Sequence, residues 1–348
     1  MKTKKILCLV LAMLMLMAVL SSCGGSKSGS STSTTSTAPI ELKLNITTGE
    51  TSVWQVAANT FKQLIEERTE GRYTISIFPN EQLSGGDMQK GCEMIFTGVT
   101  DVDIHSVMNM TGFEPKLFVM TMPWIFTKGY ESVDEILLNP GAPGGEALMD
   151  LIRAKGAEPL ALAENGFRQI TNNVRPITSP ADMVGMKIRI PANNMYISLF
   201  QKLGADPTSM NFAEVFTALQ QGTIDGQENP LDTIRSAKIQ EVQKYLTMWN
   251  YSYDAICLSV SGKVWNSLSD ADKEIFRQAA QEACAAEIAA SRANDGNIRA
   301  EFEAAGVQIT DLTDEQIKAF QDAVNPLYEE YREQIGEDLF AAFGYTFD

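Results

Sequence analysis

Residues 40–78 read IELKLNITTGETSVWQVAANTFKQLIEERTEGRYTISIF. Leu42, Leu44 and Ile46 alternate with polar residues, the period of a strand with one buried face. Thr51 or Ser52 then offers a helix N-cap, and Val53, Ala57, Phe61, Leu64 and Ile65 fall on one helical face. Gly71 suits the end of that helix, and Tyr73, Ile75 and Ile77 alternate again before Pro79. Strand, helix and strand in this order form a βαβ unit, whose crossover joins parallel strands. The chain is therefore read as α/β, with a parallel sheet at its core.

The same pattern continues toward the C-terminus. A helix is expected from about Asp87 to Thr97 and a short strand over residues 102–104, whereas residues 140–145, rich in Gly and Pro, read as a loop. The apolar run at residues 159–163 leads straight into Glu164-Asn-Gly-Phe-Arg-Gln, and this change of character marks a crossover between domains. Residues 186–190 alternate as a strand, and residues 212–221 have helical spacing with Gly222 placed for the C-terminal cap. From Ser269 a capping-box-like Ser-Asp-Ala-Asp opens an Ala-rich helical stretch to about Ala305, interrupted at Asp295-Gly-Asn. A kinked helix bridging two lobes accounts for that length. A coiled coil does not, because the stretch lacks a leucine seam.

Toward the N-terminus, three lysines within residues 1–5 precede an apolar run at residues 6–20 and then Leu20-Ser-Ser-Cys23. The run is short for a membrane span, and the small-small-Cys ending has the form of a bacterial lipobox. A secretory signal peptide cleaved before Cys23, with lipid on the Cys23 thiol, is expected. Of the 12 residues 26–37, 10 are Ser or Thr, the composition of a flexible tether. The body would then lie outside the cytoplasm, anchored at a membrane. The expected division is a signal peptide at residues 1–22 and a lipidated tether at 23–39. Lobe I would comprise 40–164 with 254–295, and lobe II 165–253 with 296–348.

The 348 residues carry 28 Lys and Arg against 44 Asp and Glu, a net charge of -16. Such a surface repels nucleic-acid phosphates, so no nucleic-acid partner is expected. His105 is the one histidine in the chain, which removes most Ser-His-Asp, Cys-His and multi-His zinc schemes. There is no CxxC, no GxxxxGK[ST], no GxGxxG after a strand, no HExxH and no GxSxG. No cofactor, metal site or enzymatic activity is expected. Cys92, Cys257 and Cys284 remain in the body, as buried thiols or with one pair joined. The acidic pairs Asp101/Asp103 and Asp270/Asp272 sit on a strand and at a helix N-terminus, settings that explain them without catalysis. His105 reads as a hydrogen-bonded packing residue.

Two arginines stand outside any charge run, Arg168 at the crossover and Arg189 on the strand Met186-Lys-Ile-Arg-Ile. A guanidinium on a core strand must be paired or face a cleft, since an unpaired buried charge costs several kcal/mol. Its planar fork of donors matches a carboxylate. The residues alone leave two readings open, a structural salt bridge or a clamp for an organic acid.

The ordered set Glu164-Asn-Gly-Phe-Arg-Gln-Ile-Thr-Asn, Pro180-Ala-Asp-Met-Val-Gly-Met-Lys-Ile-Arg-Ile-Pro, Leu203-Gly-Ala-Asp-Pro-Thr, Asn211-Phe-Ala-Glu-Val-Phe-Thr-Ala-Leu-Gln-Gln-Gly, Ile224-Asp-Gly-Gln-Glu-Asn-Pro and Glu241-Val-Gln-Lys-Tyr resembles the solute-binding proteins of tripartite ATP-independent periplasmic (TRAP) transporters, DctP type. Phe78-Pro-Asn-Glu-Gln-Leu suits the N-terminal lobe of that family, and the resemblance covers roughly residues 40–340. It implies a two-lobed periplasmic-binding-protein-like fold with crossing hinge strands and a long kinked bridging helix. It also implies capture of a small carboxylate for delivery to membrane permease subunits. Arg189 would clamp the ligand carboxylate, Arg168 assist and Asn229 donate to the same group. Phe212 would stack on the ligand, and Asp87 and Thr47 would face it from the opposite lobe. Asn193 and Trp54 join the set from their placement near strand-to-helix crevices. Trp54 as core, Asn193 as a turn former, Phe212 as helix packing and Asp87 as an N-cap are the structural alternatives. His105-Ser106 replaces the acidic residue expected in the sialic-acid branch, which leaves uronates, aldonates, 2-oxo acids and C4-dicarboxylates as ligand classes. An extracytoplasmic sensor for a signalling receptor and an exported sugar-acid hydrolase are the other classes of function compatible with an exported α/β chain.

Overall fold

In the computed structural model residues 38–347 are described; the expected signal peptide, Cys23 and most of the tether lie outside the described residues. The strands in chain order are β1 (Ile40–Ile46), β2 (Tyr73–Phe78), β3 (Val102–Ser106), β4 (Ala157–Phe167), β5 (Gln169–Asn172), β6 (Lys187–Ile190), β7 (Asp206–Ser209), β8 (Gly226–Asn229), β9 (Tyr245–Met248), β10 (Tyr253–Ser261) and β11 (Gln308–Asp311). They form two sheets, ordered β2-β1-β3-β10-β4 and β11-β9-β5-β8-β6-β7. Parallel pairing holds where βαβ units build the sheets, as in β1 with β2 and β3, or β6 with β7 and β8. It turns antiparallel where the chain passes between sheets. There β10 runs against both β3 and β4, and β5 runs against β8 and β9. The crossover near Arg168 is thus the junction of β4 in one sheet with β5 in the other.

The helices that position the site are α1 (Trp54–Arg68), α2 (Met88–Thr97), α3 (Pro143–Arg153), α4 (Asn194–Lys202), α5 (Phe212–Gln221), α6 (Leu231–Ser236) and α7 (Asp270–Ala304). On α1 the expected stripe is buried through Ala57, Phe61 and Ile65, but its N-terminus differs from expectation. Val53 is the N-cap and carries no side-chain cap. The Val53 N–H instead donates to Asp232 Oδ2 at 2.9 Å, and Ser52 Oγ donates to the same oxygen at 3.1 Å. A carboxylate on α6 thus caps α1 from the other sheet, a favourable site for negative charge at a helix N-terminus. Residues 140–145 are not all loop. Pro143 starts α3, because a missing N–H costs nothing in the first turn.

On α5 the expected cap holds, with Gly222 in the left-handed region at φ 67°. The long stretch is a single helix, α7, of 35 residues capped by Ser269 Oγ, and it runs through Asp295-Gly-Asn without interruption. Asp295 is held by the Tyr130 hydroxyl at 2.7 Å. The first half of α7 packs Phe276, Ala279, Ala280 and Ala283 under the first sheet, and its end sends Ile298 and Phe302 into a core with Leu246. The helix therefore spans both sheets. Cys92, Cys257 and Cys284 are free and buried. Burial pushes the Cys92 and Cys257 thiols up to about 12, which leaves them unreactive at neutral pH.

Candidate functional site

A narrow cavity of about 40 Å3 lies between the two sheets and is lined from both. Its walls come from strand ends and helix starts, where an α/β sheet leaves backbone groups and side chains free to meet a ligand. Of the expected residues, Arg189, Arg168, Asn229, Phe212, Trp54 and Thr47 are brought together there. Asp87 and Asn193 are not among the lining residues. Asp87 caps α2 by accepting from the N–H groups of Gln89 and Lys90, and Asn193 caps α4 by accepting from the Tyr196 N–H. Both take the structural role available to an Asx residue in front of a helix.

The two arginines have opposite environments. Arg168 is buried and fully engaged: Nη2 donates to Glu228 Oε1 at 2.9 Å, to the Glu228 carbonyl at 2.8 Å and to Asn229 Oδ1 at 2.9 Å. Its Nε closes a second contact to Glu228 Oε2, and Nη1 reaches Asp254 Oδ2 at 3.4 Å. Burial alone would lower the guanidinium, but Glu228 overrides it and holds Arg168 well above its ordinary range. Arg189, on β6, is equally buried, and its Nε and Nη2 donate only to the Met210 carbonyl, at 3.0 and 2.6 Å. Among the described residues no carboxylate lies within ion-pair distance of it. Burial, with Arg168 nearby, pushes it down to about 9 against a weaker pull from Glu228. It is still cationic at neutral pH, with no carboxylate in direct contact among the described residues. The Phe212 ring lies against its guanidinium, centroid 5.8 Å from Cζ.

Around these charges is a neutral, hydrogen-bonding wall. Asn165 Oδ1 accepts from Trp54 Nε1 at 3.2 Å and from Thr233 Oγ1 at 2.9 Å, while its Nδ2 donates to Asp254 Oδ2 at 2.6 Å. Asp254 also accepts from Ser106 Oγ at both oxygens, at 2.7 and 2.9 Å. Burial pushes its carboxyl up, against the opposing pull of Arg168 and its hydrogen-bond donors. Asp254, Asn165 and Ser106 are site residues that sequence reasoning did not single out. The available signal was an aspartate inside the otherwise apolar strand Tyr-Asp-Ala-Ile-Cys-Leu of β10.

Behind the wall sits a buried acid-base cluster. Thr47 Oγ1 donates to Glu81 Oε1 at 2.7 Å, Glu81 also contacts His105 Nε2, and His105 Nδ1 lies 2.5 Å from Asp103 Oδ1. Burial opposes charge on His105, but Asp103 and Glu81 outweigh it and hold the imidazole well above its usual range. Asp103 is pushed up to about 6, chiefly by burial. Gly91 on α2 packs on this cluster: a Cβ there would stand 2.4 Å from Glu81 Oε2 and 2.8 Å from His105 Nε2. Packing strain in Gly91→Ala is therefore expected to cost about 1–3 kcal/mol, for a net destabilisation of up to about 2 kcal/mol. Alanine's gain of roughly 1 kcal/mol in helix propensity acts in the opposite direction. Urea unfolding checks the sign, and an unchanged or higher midpoint would contradict this packing.

A family model described as bacterial extracellular solute-binding protein, family 7 (DctP), matches residues 44–334. A solute-binding protein of Verminephrobacter eiseniae is 33% identical over 300 residues, which are 86% of this chain and 87% of the relative. Among solved structures, a TRAP periplasmic solute-binding protein of Ralstonia eutropha with bound (S)-2-acetolactate aligns with a TM-score of 0.83 at 33% identity, over 87% of this chain and 98% of that one. Another, from a Polaromonas species and bound to D-erythronate, gives 0.82 at 34% identity, over 89% and 99%.

Proposed function

The chain belongs to family 7 of the bacterial extracellular solute-binding proteins, the DctP proteins of TRAP transporters, and from that premise we propose that it captures a small organic acid through Arg189 and hands it to membrane permease subunits. The family is a transport component rather than an enzyme. The observation that carries the reading is Arg189, a buried cation with no carboxylate in contact among the described residues, in the wall of the cavity between the two sheets. Only part of its donor fork is taken by Met210, and the remaining N–H groups match a carboxylate. Arg168, engaged by Glu228 and Asp254, would assist through its charge from the cavity wall, and Asn229 is held by Arg168 and by Gln227 Oε1 with its amide at that wall. Charge-assisted hydrogen bonds contribute about 1.5–3 kcal/mol each. A few of them, after ordering costs, suffice for roughly micromolar affinity, about -8 kcal/mol.

The two sheets would serve as lobes that close on the ligand, with β4–β5 and β9–β10 as the crossing strands. The bound acids of the Ralstonia and Polaromonas proteins, acetolactate and erythronate, fall within the class that such a clamp accepts. Lipid on Cys23 would hold the protein at the membrane, with residues 26–37 as its tether. No helix among the described residues is long and apolar enough to cross a membrane.

The test is a thermal-shift series with the mature protein against organic acids and matched neutral sugars. A ligand at a hundred times its Kd stabilises the folded state by about 2.7 kcal/mol, a shift of several degrees. Shifts confined to carboxylates are expected. Equal shifts from neutral sugars, or none from any acid, would overturn the proposal.

A further inference from the structure

The buried charges at the cavity are balanced before any ligand enters. Arg168 and Arg189 are 2% and 1% exposed, and the acids near them, Glu228 and Asp254, are both fully buried. One carboxylate on Arg189 brings the region to a negative excess. A second carboxylate on the same ligand would find no free cation, because Arg168 is bracketed by Glu228 and Asp254. The other lining groups on the side of the first sheet, Thr47, Thr48, Ser106 and Asn109, are uncharged. A second buried anion would also feel Asp254 directly, in a region where water screens little.

Asp254 has hydrogen-bonding capacity to spare. Its Oδ2 accepts from Ser106, Asn165 and Arg168, but Oδ1 accepts only from Ser106. A carboxylate oxygen takes about two donors, so Oδ1 can accept from a ligand hydroxyl. The surrounding hydroxyls and amides both donate and accept, as sugar-like hydroxyls do. An ammonium is less suited, since the charge of Asp254 already faces Arg168.

We propose that Asp254, in the part of the cavity wall that the first sheet supplies, is the specificity-determining residue that restricts the ligand to a hydroxylated monocarboxylate and rejects dicarboxylates. The inference rests on the solute-binding reading above and narrows its ligand class.

The test uses matched pairs of aldonate and aldarate with four, five and six carbons, which differ only in a terminal hydroxymethyl or carboxylate group. Titration calorimetry on the mature protein is expected to show an aldonate binding at one length or more, with its aldarate at least a hundredfold weaker. Asp254→Asn removes the second negative charge and should narrow that ratio at least tenfold. Should the variant fail to fold, the wild-type ratio decides alone. An aldarate within threefold of its aldonate, an unchanged ratio in a folded Asp254→Asn protein, or tighter binding of a 2-amino acid of equal length overturns the inference while leaving acid capture intact. Binding of no acid at all in this series or in the wider thermal-shift panel removes the solute-binding reading, and the inference with it.

Discussion

Arg189→Met is expected to abolish acid binding, by a hundredfold or more in Kd, while leaving the empty protein as stable as the parent or more so. The two effects share one cause. The guanidinium is buried with a single carbonyl as hydrogen-bond partner and no carboxylate in contact, so its desolvation is only partly offset within the protein. Replacing a buried ionic group by an apolar side chain of similar volume is often neutral or stabilising by about 1–4 kcal/mol. Methionine forfeits the two hydrogen bonds to the Met210 carbonyl, which offsets part of that gain by about 1 kcal/mol. A hundredfold loss of affinity corresponds to about 2.8 kcal/mol, within what charge-assisted bonds supply. Arg189→Lys should fall between, because a lysine keeps the charge and loses the fork. Calorimetry gives the affinity, and thermal unfolding without ligand gives the stability. Binding within tenfold of wild type would refute the clamp, and a melting point lowered by several degrees would make Arg189 a structural residue.

The burial of Arg189 in a cleft wall was legible because an arginine on an apolar strand must be paired or face a cleft, whereas its clamp role is what the family resemblance implies and what is proposed above. The βαβ opening was legible for a comparable reason. Its alternation and helical stripe depend on neighbours within a few residues, and Leu42, Ala57, Phe61 and Ile75 are buried as that pattern requires. What escaped was non-local. The cap on α1 comes from Asp232, far along the chain, so no inspection of residues 51–54 could have found it. Asp87 and Asn193 show the converse limit. An Asx residue before a helix can cap it or face a ligand, and the spacing is identical for both, so only geometry separates them. Asp254 gives little local signal because β10 is buried throughout and reads as core; its chemistry depends on Ser106 and Asn165, which arrive from other strands. Propensity marks Asp295-Gly-Asn as a break, yet α7 continues through it. Packing over many residues outweighs a local cost of about 1 kcal/mol for glycine.

Arg168 should behave in the opposite way to Arg189, and the contrast separates a binding cation from a structural one. Its guanidinium meets Glu228 with two nitrogens and Asp254 with the third, and Tyr251 donates to Glu228 Oε2 at 2.7 Å. Arg168→Met would strand two buried carboxylates where the β4–β5 crossing meets β8. Breaking a buried ion pair from one side costs about 3–5 kcal/mol, because the remaining charge has no compensation. That is a large share of the 5–15 kcal/mol that typically separates folded from unfolded protein. Urea unfolding of the ligand-free variant is expected to show the loss, and Arg168→Met with Glu228→Gln should recover part of it. The double-mutant cycle would then give a coupling on the order of 1–3 kcal/mol. A loss below about 1 kcal/mol in the single variant would mean that the carboxylates find other partners or take up protons at little cost. The charge balance behind the monocarboxylate inference would then have to be drawn again, with Arg168 counted as free. A loss of the expected size, beside an Arg189→Met protein that is stable but does not bind, would assign one arginine to the frame of the cavity and the other to its ligand.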